Sequence, residues 1–107
     1  MMNRGDVYWV DLNPTKGSEI NKQRPCVIVS VSPINRARNT LIVIPLSTFA
    51  KSRPPIVVDV VCMGKKVSAV CDQIRTVDKA RFVKHAGALS ISDMDKIDDS
   101  LRQILSL

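Results

Sequence analysis

The sequence predicts an α+β fold: six or seven short strands in a strongly bent sheet or small antiparallel barrel, with one late amphipathic helix packed on it. Three observations predict it. Cys26-Val27-Ile28-Val29-Ser30-Val31 and Leu41 to Leu46 are continuous apolar, largely β-branched runs of strand length, suited to strands buried on both faces. Turn-forming residues punctuate the chain every few positions as far as Gly87. Helical spacing sets in only after that, where Met94, Ile97, Leu101, Ile104 and Leu105 fall on one face.

Taken in order, Asp6 to Leu12 is rich in Val, Tyr and Trp and stops at the turn dipeptide Asn13-Pro14. Tyr8 and Trp9 are adjacent, so a strand directs them to opposite faces. Pro14 to Gln23 is polar, holds Gly17 and reads as a loop. The first buried strand follows, over Cys26 to Val31, and Ser32 to Asn39 is a connector with room for one helical turn. Leu41 to Leu46 is the second buried strand and ends at Ser47-Thr48. Lys51 to Pro55 is a basic, proline-bearing exposed loop. Ile56 to Val61 and Val67 to Cys71 form a hairpin about Met63-Gly64-Lys65-Lys66, and Phe82-Val83 favours a strand over Arg81 to Leu89. Ser92-x-x-Asp95 resembles a capping box and would start the helix.

Length and charge bound the function. A chain of 107 residues is expected to be one domain, residues 1–107, with a modest core from its 45% hydrophobic content. The net charge is +6 and unevenly placed: residues 1–91 carry 14 basic and 6 acidic side chains (+8), while residues 92–107 carry 2 and 4 (−2). A basic body suits a polyanionic partner, because displacing phosphate counterions favours association. Cys26, Cys62 and Cys71 form no C-x-x-C pair, and His85 is the sole histidine, so neither a zinc site nor another metal site is expected. Reduced, partly buried thiols fit a cytosolic protein. No signal-peptide pattern and no run of ~20 apolar residues is present, so no membrane association is expected.

The candidate chemistry follows from what phosphodiester cleavage needs. RNA supplies its own nucleophile, the 2′-hydroxyl. A protein must add a base, a cation for the charge on phosphorus and a proton source for the leaving 5′-oxygen. Arginine is the natural phosphate clamp, since its planar fork donates to two oxygens and stays charged. Arg24, at the entrance of a buried strand, is held at its stem with its head in water; a plain solvated strand-end arginine has the same pattern. Ser47-Thr48 offers two hydroxyls at the end of another buried strand, for phosphate donation or for closing a turn. Asp72 could act as base or merely pair with Arg75, and Glu19 in the Gly17 loop is the other candidate base. Lys51, Ser52 and Arg53, then Lys65-Lys66, are two basic loop clusters suited to an RNA backbone. Four aromatic residues are too few for a base-stacking sheet platform.

Read together, Arg4-Gly5-Asp6-Val7-Tyr8-Trp9-Val10-Asp11-Leu12-Asn13-Pro14, Gly17-Ser18-Glu19 and Arg24-Pro25 leading into Val27-Ile28-Val29-Ser30 resemble the start of the MazF/PemK/Kid toxin family. The likeness continues through Ile44-Pro45-Leu46-Ser47-Thr48 and Cys71-Asp72-Gln73-Ile74-Arg75-Thr76-Val77-Asp78. It implies an SH3-like barrel of the CcdB/PemK type, homodimerisation, and a cytoplasmic endoribonuclease that cuts short single-stranded RNA sequences. It implies cleavage by 2′-hydroxyl attack with no metal and no cofactor, leaving a 2′,3′-cyclic phosphate. It also implies inhibition by an acidic antitoxin whose disordered tail wraps the toxin.

Residue by residue, the resemblance puts Arg24 on the family's catalytic arginine and Ser47 where the family has a threonine, with Thr48 as rival hydroxyl. Asp72 and Gln73 fall on RNA-contacting positions, the aspartate being the proposed base in the Kid-like branch. That branch has an arginine two residues before the aspartate and a histidine after the loop glycine, where this chain has Val70 and Ser18. An Arg24–Ser47 centre is therefore preferred, helped by Asp72 or Glu19. Thr48, Gln73, Lys51, Arg53, Lys16 and Lys22 are the expected RNA contacts. The rival expectations are a non-enzymatic, CcdB-like gyrase poison and a nucleic-acid-binding regulator with a degenerate site.

Overall fold

The strand Thr40–Ser47 (β3) is the hub around which the sheet bends, in a computed structural model that describes residues 2–107. Its first half pairs with Arg75–Asp78 (β6), from Thr40↔Asp78 to Val43↔Arg75. Its last two residues pair instead with Lys65–Val70 (β5), as Leu46↔Ala69 and Ser47↔Ser68. One strand thus serves two neighbours on the same side, and the sheet must curl where it changes partner. Leu41, Val43, Ile44 and Leu46 are buried, as the unbroken apolar run requires.

On its other side β3 pairs with Gln23–Ile28 (β2), which pairs with Asp6–Asp11 (β1), which pairs with Phe82–Ala88 (β7). Val57–Cys62 (β4) pairs with β5 and closes the order β4-β5-β3-β2-β1-β7. Every pairing is antiparallel. Ser32–Ala37 (α1) is the expected helical turn of the connector, and Ile91–Leu105 (α2) is the late helix. Among the described residues this makes seven strands, curled as a half-barrel, with α2 packed on β4 and on the 3-10 turn Cys71–Gln73. One core lies under α2 and joins Met94 and Ile97 to Val27, Ile44 and Leu46. The other lies within the curl and joins Val10, Leu12, Ile28 and Val77.

Several expectations shift, each for a physical reason. The second strand runs Gln23–Ile28 and not Cys26–Val31, because hairpin pairing with β1 continues back to Asp11↔Gln23. Ser30 leaves the ladder to share a buried hydrogen-bond network with Asn35, which anchors α1. Arg75–Asp78 is a strand that the short polar pattern concealed. The β4–β5 turn has two residues, Met63-Gly64, and not four, so Lys65 and Lys66 begin a strand rather than a loop. Lys66 there reaches Asp59 across the hairpin at 3.4 Å.

The helix starts two residues early. Ser90, not Ser92, is its cap and accepts the Asp93 N–H at 3.1 Å. Asp93 is spent elsewhere: its carboxylate accepts the Val61 N–H of edge strand β4 at 2.9 Å. The helix end thereby satisfies a donor that the sheet edge would leave open. Leu105, expected on the apolar face, is 48% exposed, while Leu101 and Ile104 pack against the core. Tyr8 and Trp9 do part to opposite faces. Tyr8 meets Phe82 and His85 edge-on, with ring centroids 5.6 and 5.1 Å away, and Trp9 enters the recess described next.

Candidate functional site

The loop from Leu12 to Gln23 is polar and long, and its shape is imposed by hydrogen bonds. The Leu12 N–H donates to the Lys22 carbonyl at 3.0 Å, and the Asn13 side chain accepts the Lys22 N–H at 3.2 Å. Lys22 adopts a left-handed backbone, φ 67°, to close this neck. At the tip, the Glu19 carboxylate accepts the Lys16 N–H at 2.6 Å. Gln73 then clamps the returning arm: its carbonyl oxygen accepts the Ile20 N–H at 2.7 Å, and its amide donates to the Ser18 carbonyl at 3.3 Å.

Immediately after this arm, β2 carries Arg24, half-buried, with its Nε donating to the Asn21 carbonyl at 3.2 Å. That bond fixes the plane of the guanidinium and leaves both terminal nitrogens for a ligand. Arg24, Ser47, Thr48 and Lys65 share a recess of about 300 Å³. Its remaining lining is largely apolar and includes Trp9, Leu46, Met63 and Val67.

Ser47 ends β3 and caps the following turn. Its Oγ accepts the Phe49 N–H at 3.0 Å and the Ala50 N–H at 3.1 Å. A hydroxyl has two acceptor sites and one proton, so a Ser47 that accepts twice is left as a donor. Thr48 is exposed and lacks this pair of bonds. A second recess, of about 480 Å³, gathers Ser18, Glu19, Asp72, Gln73, Ile74 and Arg75. Asp72 is exposed there on the 3-10 turn that follows β5. The Asp72–Arg75 ion pair is not formed: Arg75 donates to the Leu12 carbonyl at 3.3 Å.

The candidates therefore divide. Arg24, Ser47 and Thr48 meet in one recess, and Glu19, Asp72 and Gln73 in the other. The segment Ser18 to Asn21 connects them, held by Gln73 at one end and Arg24 at the other. Lys16, Lys22, Lys51 and Arg53 are exposed and line neither recess. In the sequence Lys65 reads only as part of a basic cluster suited to an RNA backbone, and Trp9 and Met63 are not singled out as site residues. The available signal was Met63-Gly64 between two apolar runs, a two-residue hairpin turn that brings the next residue, Lys65, back opposite Cys62.

The three cysteines are free and buried. Burial pushes the Cys26 thiol up to about 12, against the opposing pull of the Arg75 charge. Burial likewise raises Cys62 and Cys71. All three are thus held as neutral, poorly nucleophilic thiols. Among the described residues, no three His, Cys, Asp or Glu side chains gather as a metal-ligand set, and no helix is long and apolar enough to cross a membrane.

Endoribonuclease MazF9 of Mycobacterium tuberculosis is 34% identical over 116 aligned positions, which cover 100% of this chain and 98% of that protein. An endoribonuclease from a mycobacterial species, solved in complex with its cognate antitoxin, is 25% identical; the match has a TM-score of 0.82 and covers 98% and 95% of the two chains. MazF from Deinococcus radiodurans, at 20% identity, shares the fold with a TM-score of 0.88 over 98% and 96% of the chains. The profile of the PemK-like, MazF-like toxins of type II toxin–antitoxin systems matches residues 3–105, and the chain belongs to that family.

Proposed function

We propose that this protein is the toxin of a type II pair, an endoribonuclease that cuts single-stranded RNA at selected sequences without a metal. One observation carries the reading. Arg24, with both terminal nitrogens open, shares a recess with Ser47, whose hydroxyl is restricted to donation. Two fixed donors of different reach are what a pentacoordinate phosphorus needs, because its charge grows on the non-bridging oxygens as the 2′-oxygen attacks.

In this reading Arg24 clamps two phosphate oxygens and Ser47 donates to one of them. The 2′-hydroxyl loses its proton through water to Asp72, which lies in the other recess across residues 18–21. The 2′-oxygen bonds to phosphorus, and the bond to the 5′-oxygen breaks. That oxygen takes a proton from water, and the hydroxide so formed recovers one from Asp72, leaving a 2′,3′-cyclic phosphate and a 5′-hydroxyl. Arginine is not the acid, since a guanidinium stays charged and is a poor proton donor. Glu19 has one carboxylate oxygen committed to the Lys16 N–H, so its role is to shape the loop that meets the RNA. Gln73 acts through the same loop. Lys16, Lys22, Lys51 and Arg53 meet the RNA backbone outside the recesses, where their contribution depends on salt.

The mycobacterial relative was solved with its cognate antitoxin. For this chain, an acidic antitoxin with a disordered tail suits the +8 body of residues 1–91. Homodimerisation and a cytoplasmic location complete the proposal. The gyrase-poison and regulator readings are not favoured, because the curated relatives are endoribonucleases.

The test is to incubate the purified protein with a long RNA in EDTA and map the new 5′ ends. Cuts at a recurring short sequence, with cyclic phosphate upstream, are expected. Intact RNA, or cutting that appears only when a divalent cation is restored, would overturn the proposal.

A further inference from the structure

The recess beside Arg24 has a floor that phosphate chemistry does not require. Trp9, Leu46, Cys62 and Val67 line it with ring, methyl and sulfur surface, directly next to Arg24, Ser47 and Lys65. At about 300 Å³ it has the volume of a small-ligand cleft and suits one planar ring system.

Met63 carries the second observation. It is the first residue of the two-residue β4–β5 turn, with φ 53°, and Gly64 follows with φ 73°. Paired left-handed residues make the turn that favours Asn-Gly, and a methionine there is strained. Burial does not account for it, since Met63 is 51% exposed. Turn chemistry and core packing both argue against methionine here. What the residue does is present a flexible, polarizable thioether to the recess. A strained side chain held at a site is a pointer to function.

We propose that this recess seats one unpaired nucleobase of the RNA, next to the phosphate clamped by Arg24, and that Met63 is a specificity-determining wall of that subsite. The inference rests on the ribonuclease reading above. A base in a strand carries a phosphate on each side, and Arg24 and Lys65 supply two cations on the same recess for them. Trp9 offers the ring surface on which a base stacks, an interaction tolerant of base identity. Discrimination then comes from Met63 on the same recess, where a side chain of different bulk admits a different base.

Two variants test this, Met63→Asn, which suits the turn, and Met63→Trp, which fills the recess. Parent and variants are given a randomised RNA pool in EDTA, and the bases flanking each cut are counted. Met63→Asn is expected to fold at least as well as the parent and to keep cutting with cyclic-phosphate ends. Its preference at one position beside the cut should fall by about 10-fold or more. Met63→Trp should raise KM on the parent's preferred RNA, and an RNA abasic at that one position should recover part of the loss. Trp9, the sole tryptophan of the parent, gives a direct readout. Its fluorescence should be quenched by an uncleavable 2′-O-methyl version of the preferred oligonucleotide and not by the same oligonucleotide abasic at that position.

A parent that cuts RNA while both variants keep its base preference overturns the subsite. Unchanged RNA preference with lost inhibition by an acidic antitoxin peptide also overturns it, and gives the recess to the antitoxin. A parent that cuts no RNA instead sinks the ribonuclease reading itself.

Discussion

The side-chain carbonyl of Gln73 accepts the Ile20 N–H at 2.7 Å, joining two residues 53 positions apart. With its amide on the Ser18 carbonyl, Gln73 fixes the arm that leads into Arg24. Gln73→Ala removes both bonds, at about 0.5–1.5 kcal/mol each. The loop should then sample open forms, and trypsin should cut at Lys16 or Lys22 several-fold faster. RNA cleavage should slow, and the thermal midpoint should fall by about 4 °C or more. Parent-like proteolysis and parent-like cleavage together would contradict the clamp.

Arg24→Ala should lower the single-turnover cleavage rate by about 10²–10³-fold, the usual cost of one preorganised donor to a developing oxyanion. Arg24→Lys keeps charge but loses the fork, and should fall between the two. Because Ser47 is the hydroxyl left as a donor, Ser47→Ala should slow cleavage far more than Thr48→Ala. The reverse order would move the donor role to Thr48. Initial rates on one labelled oligonucleotide in EDTA decide it.

The assignment of Asp72 as proton acceptor predicts which carboxylate governs the chemical step. Asp72→Asn should depress the single-turnover rate at saturating RNA. Glu19→Gln should shift mainly KM, since Glu19 shapes the loop through the Lys16 N–H. A single-turnover rate lost in Glu19→Gln and kept in Asp72→Asn would exchange the two roles.

Asp93 ties α2 to the edge of the sheet. Asp93→Ala leaves the Val61 N–H without its carboxylate and should cost about 1–3 kcal/mol. Urea unfolding reads this as a lower midpoint with an unchanged slope. Ser90→Ala removes only the cap and should cost roughly 1 kcal/mol. Equal losses would remove the special standing given to the sheet-edge bond.

Cys26 predicts how stability responds to alkali. The folded thiol ionises near 12, and the ordinary thiol value is 9.0. Below pH 9 the group is protonated in both states and contributes no slope. Between pH 9 and 12 only the unfolded chain loses the proton, so stability declines as pH rises, by up to ~1.4 kcal/mol per pH unit from this group. Cys62 and Cys71 act in the same direction. Cys26→Ala should remove one thiol's share of the slope, and an identical slope in that variant would contradict the shift.

Much of the fold was legible because burial and turn chemistry leave local marks. The unbroken apolar run of β3, the Asn13-Pro14 stop and the helical spacing of Met94 and Ile97 report solvent exposure residue by residue. The placement of Arg24 before Cys26-Val27-Ile28 was equally plain, since a charge beside a buried run has to sit at its mouth. Boundaries were less legible. Ser90 and Ser92 are equally good caps in isolation, and only the docking of α2 on β4, with Asp93 drawn to Val61, selects Ser90.

By itself, then, the sequence determined the element types, the basic body and the candidacy of Arg24, Ser47, Asp72 and Glu19. Tertiary structure decided which of them share a recess. The change of partner along β3 curls the sheet and lets Gln73 reach Ile20. The turn after β3 takes both acceptor sites of Ser47, and the two-residue hairpin turn brings Met63 and Lys65 to the recess of Arg24. Periodicity records whether a side chain is buried. Which distant group it faces depends on how the sheet closes, a property of the whole chain.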